Sequence, residues 1–392
     1  MTRKEFVRIC GFLGLSLPFQ PIISSKERDQ NVLIIGAGAA GITAGYLLGQ
    51  QGISYQILEA SMNYGGRMKT NRDFTDFPIP LGAEWIHVSD KELEKIINNP
   101  NRTISTQLKK YPRKEQVGYY ESGEMTYRTI PAVFGPFYKE QKFVNSTWLT
   151  FFEDHLLPEV REKIKYGHQI LEVDYSGKKV KLRDQNGTVF NADRVILTIP
   201  LKQLQKGMVT FSPSLPDYKT QAIQRAEIWG GIKIFIKFSE KFYPAFTLFP
   251  DSDASNGQRL YYDAAFGQNS NSAILGLFAV GEQAKPYQYQ VNSEQISYVL
   301  DELDQVFNGK ASENYEKHIV QNWDREPFIE AAYLSDYESN GLTRELSHPL
   351  EDKIFFAGTA YTRENDWGSV HNATRSAHGA VNELLKAISA KP

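Results

Sequence analysis

The sequence predicts an α/β protein that begins with a strand–turn–helix–strand unit on a parallel sheet. Asn31–Ile35 (NVLII) is an apolar run of strand length, as expected of a strand buried on both faces. It leads into the glycine-rich segment Gly36–Gly41 (GAGAAG), and a helical apolar period then continues until Gly52. A second strand, Ser54–Glu59 (SYQILE), follows and ends in an acid.

Each glycine of the turn has a physical reason to be there. Gly36 allows a tight turn, Gly38 lets the backbone approach a pyrophosphate, and Gly41 lets the helix pack closely against the strand. The helix start offers unpaired N–H groups to phosphates. Glu59, 18 residues after Gly41, can accept hydrogen bonds from a ribose diol and would repel a 2′-phosphate. The pattern therefore predicts a dinucleotide-binding unit.

The composition limits the classes of function. Hydrophobic residues make up 41% of the 392 residues, which is enough for a folded core and excludes a disordered chain. The 44 basic and 46 acidic residues give a charge of −2, which argues against a nucleic-acid binder that works by bulk charge. Cys10 is the only cysteine, so disulfide scaffolds, cysteine-ligated zinc and iron–sulfur clusters are excluded. No apolar run reaches the roughly 18 residues of a membrane-spanning helix.

Residues 1–25 have the layout of an export signal. Arg3, Lys4 and Arg8 form a basic start, Ile9–Phe19 is a short apolar run, and a serine-containing stretch follows. The segment TRKEFV also resembles a twin-arginine signal with Lys4 in the second basic position, and that route carries proteins already folded around a cofactor. We therefore expect a periplasmic or secreted protein. The alternative is an N-terminal helix on a cytoplasmic protein.

A second glycine motif, Gly65-Gly66-Arg67, follows Glu59. It allows the backbone to fold over a cofactor and sets a guanidinium near the phosphates or the flavin ring. The run VLIIGAGAAGITAGYLLGQQGISYQILEASMNYGGRMKT resembles the FAD-binding N-terminus of flavin amine oxidases, the group of monoamine, polyamine and L-amino-acid oxidases. The resemblance extends from about residue 31 to 385 and continues in four blocks: LGAEWIH (Leu81–His87, most similar to polyamine oxidases), RVILTIPLKQLQKG (Arg194–Gly207), GIKIFIKFSEKFY (Gly231–Tyr243) and KIFFAGTAYTRENDWGSVHNATRSAHGAVNELL.

This resemblance implies a Rossmann-like FAD-binding domain interleaved with a smaller α+β substrate domain of mixed sheet and helices. The FAD-binding domain is expected from residues 30–90, 165–215 and 315–390. The substrate domain is expected from 91–164 and 216–314. The helical insert is shorter than is typical for the family. A more open site, or one partly covered by a partner subunit, is therefore expected, which is compatible with a homodimer.

The implied reaction removes a hydride from the carbon that bears an amine, with flavin N5 as the acceptor. The imine hydrolyses, and O2 reoxidises the flavin to give H2O2. A small-molecule amine and O2 are thus the expected partners. Because the cofactor carries the chemistry, no dedicated acid–base pair is required, and no G-x-S-x-G, H-E-x-x-H or paired-carboxylate motif occurs. Ala332 stands where monoamine oxidases attach flavin through a cysteine, so FAD is expected to bind non-covalently.

Lys233, Tyr333 and His87 are the residues expected to act on the substrate or beside the flavin. The resemblance implies that Lys233 reaches flavin N5 through a water, where a fixed cation favours negative charge on the reduced flavin or on superoxide. The sequence pattern alone predicts a solvent-exposed strand edge instead, because Lys233 and Lys237 share a strand face and a lysine pair usually marks such an edge. His87 matches a histidine that polyamine oxidases place near the substrate nitrogens. The alternative for His87 is a structural histidine.

Tyr333 is expected to form one wall of an aromatic box that holds the amine in front of the flavin. It follows Trp323 in the segment WDREPFIEAAY, and both could instead be core aromatics. The opposite wall is aromatic in monoamine oxidases, but that position is Ser369 here. The second wall is therefore missing or supplied by another residue, such as Trp367 or His371.

The C-terminal helix, predicted to begin around Val370, is expected to point its positive end at the N1–C2=O edge of the flavin. Glu84 is expected to hold either its own loop or the flavin edge. His371 and His378 lie on one helix face, but no carboxylate or cysteine pattern completes a metal site with them. The residues expected to contact FAD are Gly36, Gly38, Ala40, Gly41, Glu59, Ala60, Gly66, Arg67, Gly82, Ala83, Glu84, Trp85, Ile170, Trp323, Gly358, Thr359, Gly368, Ser369 and Val370.

Several alternatives stay open at the level of the sequence. An L-amino-acid oxidase of the same fold would need an arginine for the substrate carboxylate, which the sequence does not identify. A flavin-dependent dehydrogenase or desaturase would not use O2. A catalytically silent FAD-binding module would not be reduced by amines. An NAD-linked dehydrogenase is the least expected class, because the Gly-Gly-Arg motif and the C-terminal block are not features of such enzymes.

Overall fold

The computed structural model of the chain describes residues 30–136, 138–290, 292–335, 340–362 and 368–390. The predicted export signal at residues 1–25 lies outside these ranges, as does Trp367. None of the helices within them combines the length and the apolar character that crossing a bilayer requires.

The predicted strand–turn–helix–strand unit forms the centre of a five-stranded parallel sheet. Asn31–Ile35 pairs with Ser54–Leu58 on one side and with Arg194–Leu197 on the other, parallel in both cases. Ile354–Phe356 and Ile164–Lys165 complete the two edges. The side chains of Val32 to Ile35 are buried, because both faces of the sheet are covered. The α/β fold expected from the apolar run and the glycine turn is therefore confirmed.

Five helices share one core with this sheet, and one of them, Asp90–Ile97, contributes Leu93, Ile96 and Ile97. Ala39–Gln50 ends just before Gly52, whose φ of +68° breaks the helix as the sequence indicated. Val370–Ser389 packs against it, as do Trp148–His155 and Leu157–Val160. The last two helices fall within the stretch 91–164 that the sequence assigned to the substrate domain. Their apolar side chains nevertheless belong to the core of the parallel layer.

A larger mixed sheet forms the second layer. The strand Gly231–Phe238 lies between two antiparallel neighbours in its interior, not at an edge. One neighbour is Tyr315–Asn322, which lies in the segment assigned by sequence to the FAD-binding domain, whereas its strand pairing places it in this second layer. The strand order across the sheet is Tyr315–Asn322, Gly231–Phe238, Ala273–Gly281, Gly257–Asp263, Phe246–Leu248, Gln116–Glu121 and Glu124–Thr129, with Asp253–Ala254 paired to Gly257–Asp263.

The remaining strands form smaller sheets around these two layers. A four-stranded sheet has the order Val189–Ala192, Val180–Asp184, Ile170–Asp174 and Thr210–Ser212. Three two-stranded pairs join Ile228–Trp229 to Tyr333–Leu334, Thr70–Asn71 to Ile79–Pro80, and Leu108–Lys110 to Gln141–Phe143. The other helices are Ile130–Phe134, Leu201–Gln205, Asp217–Arg225, Lys285–Tyr289, Asn292–Phe307, Lys310–Asn314 and Asn340–Ser347. Single 3-10 turns occur at Gly66–Met68, Arg161–Lys163, Glu282–Ala284, Trp323–Arg325 and Thr359–Tyr361.

Candidate active site

A cavity of about 1220 Å³ runs between the parallel sheet and the larger sheet. One end is formed by the glycine turn after Asn31–Ile35, and the other by the interior of the strand Gly231–Phe238. Pockets for single small ligands usually measure about 300–1,000 Å³. The cavity is therefore large enough for a long cofactor together with a substrate. Every residue that the sequence predicted to contact FAD lines it, with the exception of Gly41.

The glycine turn leaves room for a ligand at one position only. A Cβ atom on Gly36 would lie 2.6 Å from Thr198 Oγ1, and one on Gly41 would lie 1.9 Å from the carbonyl oxygen of Gly36. These two glycines are needed by the fold itself, and Gly41 packs behind the cavity wall instead of facing it. A Cβ on Gly38 would have no protein atom within 4 Å, although Gly38 lines the cavity. Its open side is the space that a close-approaching diphosphate would fill.

The helix start beside this turn is suited to an anion. Gly38 is the N-cap of the helix Ala39–Gln50 and supplies no side-chain cap to its first amides. Those amides are the donors that phosphate groups bind at such helix starts. The carboxylate of Glu59 accepts hydrogen bonds from the amide of Ala37 (2.6 Å) and from the amide of Ser61 (2.9 Å). Each carboxylate oxygen can accept a second bond, so Glu59 can also bind ribose hydroxyls.

Arg67 joins three motifs that are far apart in the sequence. Its guanidinium donates hydrogen bonds to the carbonyl oxygen of Ala332 and to Thr359 Oγ1 (3.2 Å). Gly82 packs directly beneath it, because a Cβ there would lie 1.9 Å from the carbonyl oxygen of Arg67. The indole of Trp323 donates to the carbonyl oxygen of Leu81 (3.2 Å) and closes the same side. The Gly-Gly-Arg turn is thereby fixed against the C-terminal part of the chain.

The C-terminal helix begins at the cavity, as the sequence indicated. Ser369 is its N-cap, and Ser369 Oγ accepts a hydrogen bond from the amide of Asn372 (3.3 Å). Gly368, Ser369 and Val370 line the cavity at this point. The positive end of the helix therefore faces the cavity. His371, one of the two candidates for the missing aromatic wall, is fully buried behind Ser369.

The end of the cavity beside Glu59 also holds residues that were not predicted from the sequence. His168 and Gln169 line the cavity next to Ile170. The amide of His168 donates to the carbonyl oxygen of Glu59 (2.8 Å), and His168 Nδ1 lies 2.7 Å from Asp184 Oδ2. No motif marks His168, because its partner Asp184 lies 16 residues further along the chain, at the end of the strand Val180–Asp184.

Glu84 and Lys233 in the cavity wall belong to a buried cluster that Lys142 and Tyr262 complete from behind the wall. Lys233 Nζ lies 2.8 Å from Glu84 Oε2, and Lys142 Nζ lies 2.9 Å from Glu84 Oε1. Tyr262 donates its hydroxyl to Glu84 Oε2. Lys233 is 4% exposed, so the solvated edge that the lysine pair suggested is wrong for this residue. Lys142 and Tyr262 were not found from the sequence.

The electrostatics of this cluster follow from burial and from charge pairing. Burial alone would raise the pKa of the Glu84 carboxyl, but the ammonium groups of Lys142 and Lys233 outweigh it and hold that pKa below its usual value. Burial lowers the pKa of Lys233, and the Glu84 carboxylate opposes this effect. Burial raises the pKa of Tyr262 well above its usual value, so its hydroxyl stays a neutral donor. Glu84 is therefore an ionised carboxylate shared between two lysines.

An aromatic chamber lies in front of Lys233. Tyr333, on the short strand Tyr333–Leu334, faces the cavity, and its ring centroid lies 6.1 Å from that of Trp229. Burial raises the pKa of Tyr333, so this residue is a neutral wall. Apolar and aromatic side chains from several elements complete the chamber: Trp85, Phe134, Tyr138, Phe246, Leu248, Leu260 and Phe278. The last six of these were not predicted from the sequence.

His87 lines the same cavity and is paired with a carboxylate. His87 Nδ1 lies 2.7 Å from Glu140 Oε1, and both residues are part of the cavity wall. The other oxygen, Glu140 Oε2, is buried without a hydrogen-bond partner among the described residues. A cationic substrate could therefore meet a carboxylate at this position.

Known proteins resemble the chain in sequence and in fold. Residues 34–99 match an NAD(P)-binding Rossmann-like domain. The chain is 23% identical to lysine-specific histone demethylase 2 of Homo sapiens over 93% of the chain, but it spans only 54% of that protein. It is 22% identical to polyamine oxidase 3 of Oryza sativa subsp. japonica, over 92% of the chain and 90% of that protein.

Solved structures show the same fold at lower sequence identity. Wild-type putrescine oxidase bound to putrescine superposes with a TM-score of 0.73 and 15% identity, over 91% of this chain and 99% of that one. Cyclohexylamine oxidase from Brevibacterium oxydans IH-35A also gives a TM-score of 0.73 at 15% identity, over 92% and 100%. At this identity the likeness concerns the fold alone. The sequence model described as flavin containing amine oxidoreductase matches residues 150–385, which is more than half of the chain, and the chain therefore belongs to that family.

Proposed function

We propose that the protein is an amine oxidase that binds FAD non-covalently. The observation that carries this proposal is one continuous cavity with a phosphate-binding helix start at one end and an aromatic chamber beside Lys233 at the other. A bound flavin would take a hydride from the carbon that bears the amine and would pass the electrons to O2, which yields H2O2. The imine left behind hydrolyses in water.

The residues at the first end of the cavity are suited to hold the FAD nucleotide. The open side of Gly38 and the free amides of its helix would receive the diphosphate. The carboxylate of Glu59 would accept from the ribose, and Arg67 would stand beside the phosphates or the ring. Ala332 cannot form a thioether, which supports non-covalent binding.

The residues at the other end are suited to an amine. Tyr333 and Trp85 are neutral aromatic walls that attract a cation and fit alkyl groups. His87 and Glu140 would accept hydrogen bonds from a substrate nitrogen. The two arginines among the described cavity residues, Arg67 and Arg72, are already engaged by Thr359 and Glu153 respectively. This favours an amine over an amino acid, whose carboxylate would need an arginine.

A substrate panel tests the proposal directly. The flavin-loaded protein is given monoamines, polyamines and amino acids under air, and peroxide is measured. We expect peroxide from at least one amine and much less from amino acids. Peroxide from amino acids alone would favour the amino-acid oxidase. Bleaching of the flavin by an amine without O2 consumption would indicate a dehydrogenase, and no bleaching by any compound would indicate a silent module.

We also propose that residues 1–25 direct export of the folded protein. The support is the basic start at Arg3, Lys4 and Arg8 followed by a short apolar run. Expression of the full chain in a bacterium with the twin-arginine pathway should place it in the periplasm, and replacing Arg3 and Lys4 with glutamine should retain it in the cytoplasm. Equal cytoplasmic retention of both forms would reject this proposal.

A further inference from the structure

We infer that Lys142 is a positioning residue for Lys233, and that it acts through Glu84 to keep this wall of the cavity one unit positive. The inference rests on the proposed flavin chemistry, because the charge would act on the reduced flavin. It assigns a role to a residue that carries no motif and does not itself line the cavity.

Lys142 is fully committed to holding Glu84 from behind. Its side chain is 3% exposed, and its Nζ lies 2.9 Å from Glu84 Oε1. The same ammonium donates hydrogen bonds to the carbonyl oxygens of Ala264 (2.7 Å) and Asp263 (3.5 Å). Three oxygens thus lie within 3.5 Å of this ammonium, one in an ion pair and two in hydrogen bonds. The ion pair anchors the carboxylate, and because Lys142 does not line the cavity, its ammonium does not face a ligand there.

Lys233, unlike Lys142, lines the cavity. It donates to Glu84 Oε2 (2.8 Å) and more weakly to the carbonyl oxygen of Pro80 (3.4 Å). An ammonium has three protons, so one remains for a group in the cavity whose wall Lys233 forms. Because Lys142 fixes Glu84, Glu84 in turn fixes the direction of this remaining proton.

The charge of the cluster depends on Lys142. Two ammonium groups against the one carboxylate of Glu84 give a net charge of one positive unit. The neighbouring carboxylate of Asp263 does not cancel it, because Asp263 is paired with Lys241 at 2.7 Å. Without Lys142, the Glu84–Lys233 pair would be neutral. Since the cluster is buried, its charge is poorly screened, and it would favour negative charge on the reduced flavin.

Sulfite is a probe of this charge, because its addition to an oxidised flavin leaves negative charge on the ring and removes the visible absorbance. We expect Lys142→Met to weaken sulfite binding about tenfold, the effect of one unit charge at moderate distance inside a protein. Lys142→Arg should restore most of the affinity. The double variant Lys142→Met/Glu84→Gln should bind sulfite almost as tightly as the wild type, because its net charge is again one positive unit.

The matched control is Lys219→Met, which removes another buried lysine. Lys219 is 1% exposed, and its ammonium donates to the carbonyl oxygens of Glu345 (3.0 Å) and Leu346 (2.8 Å), away from the cavity wall. We expect this variant to lose stability and to keep the sulfite affinity of the wild type. Equal weakening in both variants would mean a general structural effect and would overturn the inference.

Two further outcomes decide the matter if Lys142→Met does not take up flavin. Glu84→Gln keeps both ammonium groups and should bind sulfite at least as tightly as the wild type, so weaker binding overturns the inference. A double variant that binds sulfite tenfold more weakly than the wild type overturns it as well.

The sulfite measurements also separate this inference from the proposed function. If the sulfite affinity changes with the charge of the cluster but the protein oxidises no amine, the proposed function alone is rejected. Amine oxidation with unchanged sulfite affinity in Lys142→Met would reject this inference alone.

Discussion

Arg67 and Ala332, separated by 265 positions in the sequence, are joined by a hydrogen bond from the guanidinium to the carbonyl oxygen. The same guanidinium reaches Thr359, so one side chain holds N-terminal and C-terminal segments of the cavity wall together. A planar, multiply donating group is needed for two acceptors in different directions.

Replacement of Arg67 should therefore reduce flavin binding. We expect Arg67→Lys, which retains the charge but not the fork of donors, to weaken FAD binding about tenfold or more. Fluorescence titration of the flavin-free protein with FAD measures this. Arg72→Lys is the control, because Arg72 is half exposed and paired with Glu153 at the cavity rim. Equal losses in both variants would contradict the role of Arg67.

Two glycine substitutions should separate ligand binding from folding. Gly41→Ala forces a Cβ against the carbonyl oxygen of Gly36 and should destabilise the flavin-free protein by about 1–3 kcal/mol. Gly38→Ala meets no protein atom within 4 Å, so it should leave the flavin-free protein stable and lower its affinity for FAD. Thermal unfolding with and without FAD distinguishes the two. A destabilised flavin-free Gly38→Ala protein would argue against a ligand space at Gly38.

Lys233→Met should slow the reaction with oxygen more than the reaction with amine. On the proposed function, the Lys233 cation would stand beside the flavin and would favour the negative charge that develops during O2 reduction. We expect reoxidation to fall by roughly tenfold or more, with a smaller effect on anaerobic reduction by the amine. Stopped-flow absorbance measures both rates. Lys237→Met on the same strand is the control, because Lys237 is paired with Glu316 at the surface. Unchanged reoxidation in Lys233→Met would remove Lys233 from the mechanism.

Tyr333 should contribute to substrate binding through its ring and not through its hydroxyl. Tyr333→Ala removes one wall of the chamber and should raise KM for an amine about tenfold. Tyr333→Phe keeps the wall and should change KM little. Steady-state peroxide assays on both variants test this, with the flavin spectrum as a check on cofactor binding. A large effect of Tyr333→Phe would show that the hydroxyl matters instead.

The free energy of unfolding should depend on pH because of Lys219. Burial lowers the pKa of Lys219 from 10.5 to about 7. Between these pH values the unfolded chain holds more protons than the folded chain, so the unfolding free energy rises with pH, at most by ~1.4 kcal/mol per pH unit. The wild type should therefore gain stability relative to Lys219→Met between pH 7 and pH 10.5. Urea unfolding at several pH values measures the difference, and a constant difference would contradict the prediction.

Local patterns were sufficient for the nucleotide end of the site but not for its centre. The apolar strand, the turn at Gly36–Gly41 and Glu59 are contiguous, so spacing alone predicted them. Lys233 was recognised only through the family resemblance, because its strand pattern favoured an exposed edge until the pairing with Tyr315–Asn322 was known. Lys142 and Tyr262 come from separate strands that meet at Glu84 only in the folded protein. No local signal marks such residues.

The aromatic chamber illustrates the same physical limit. Phe134, Tyr138, Phe246 and Phe278 lie on different elements, and each is individually an ordinary core residue. Phe134 packs against Tyr138 and Phe246, and only the folded structure shows that these rings also line a cavity. The resemblance to the family pointed to Ser369 as a position where monoamine oxidases have an aromatic residue, whereas no signal pointed to these four residues.

Titration of the flavin-free protein with FAD tests the central conclusion most directly, because the proposed amine oxidation and the proposed role of Lys142 both require a flavin between Gly38 and Lys233. We expect saturable uptake of one FAD per chain, a yellow protein after removal of free cofactor, and release of the flavin on denaturation in acid, as for a non-covalent complex. A colourless protein that takes up no FAD would contradict the cofactor assignment and the chemistry built on it.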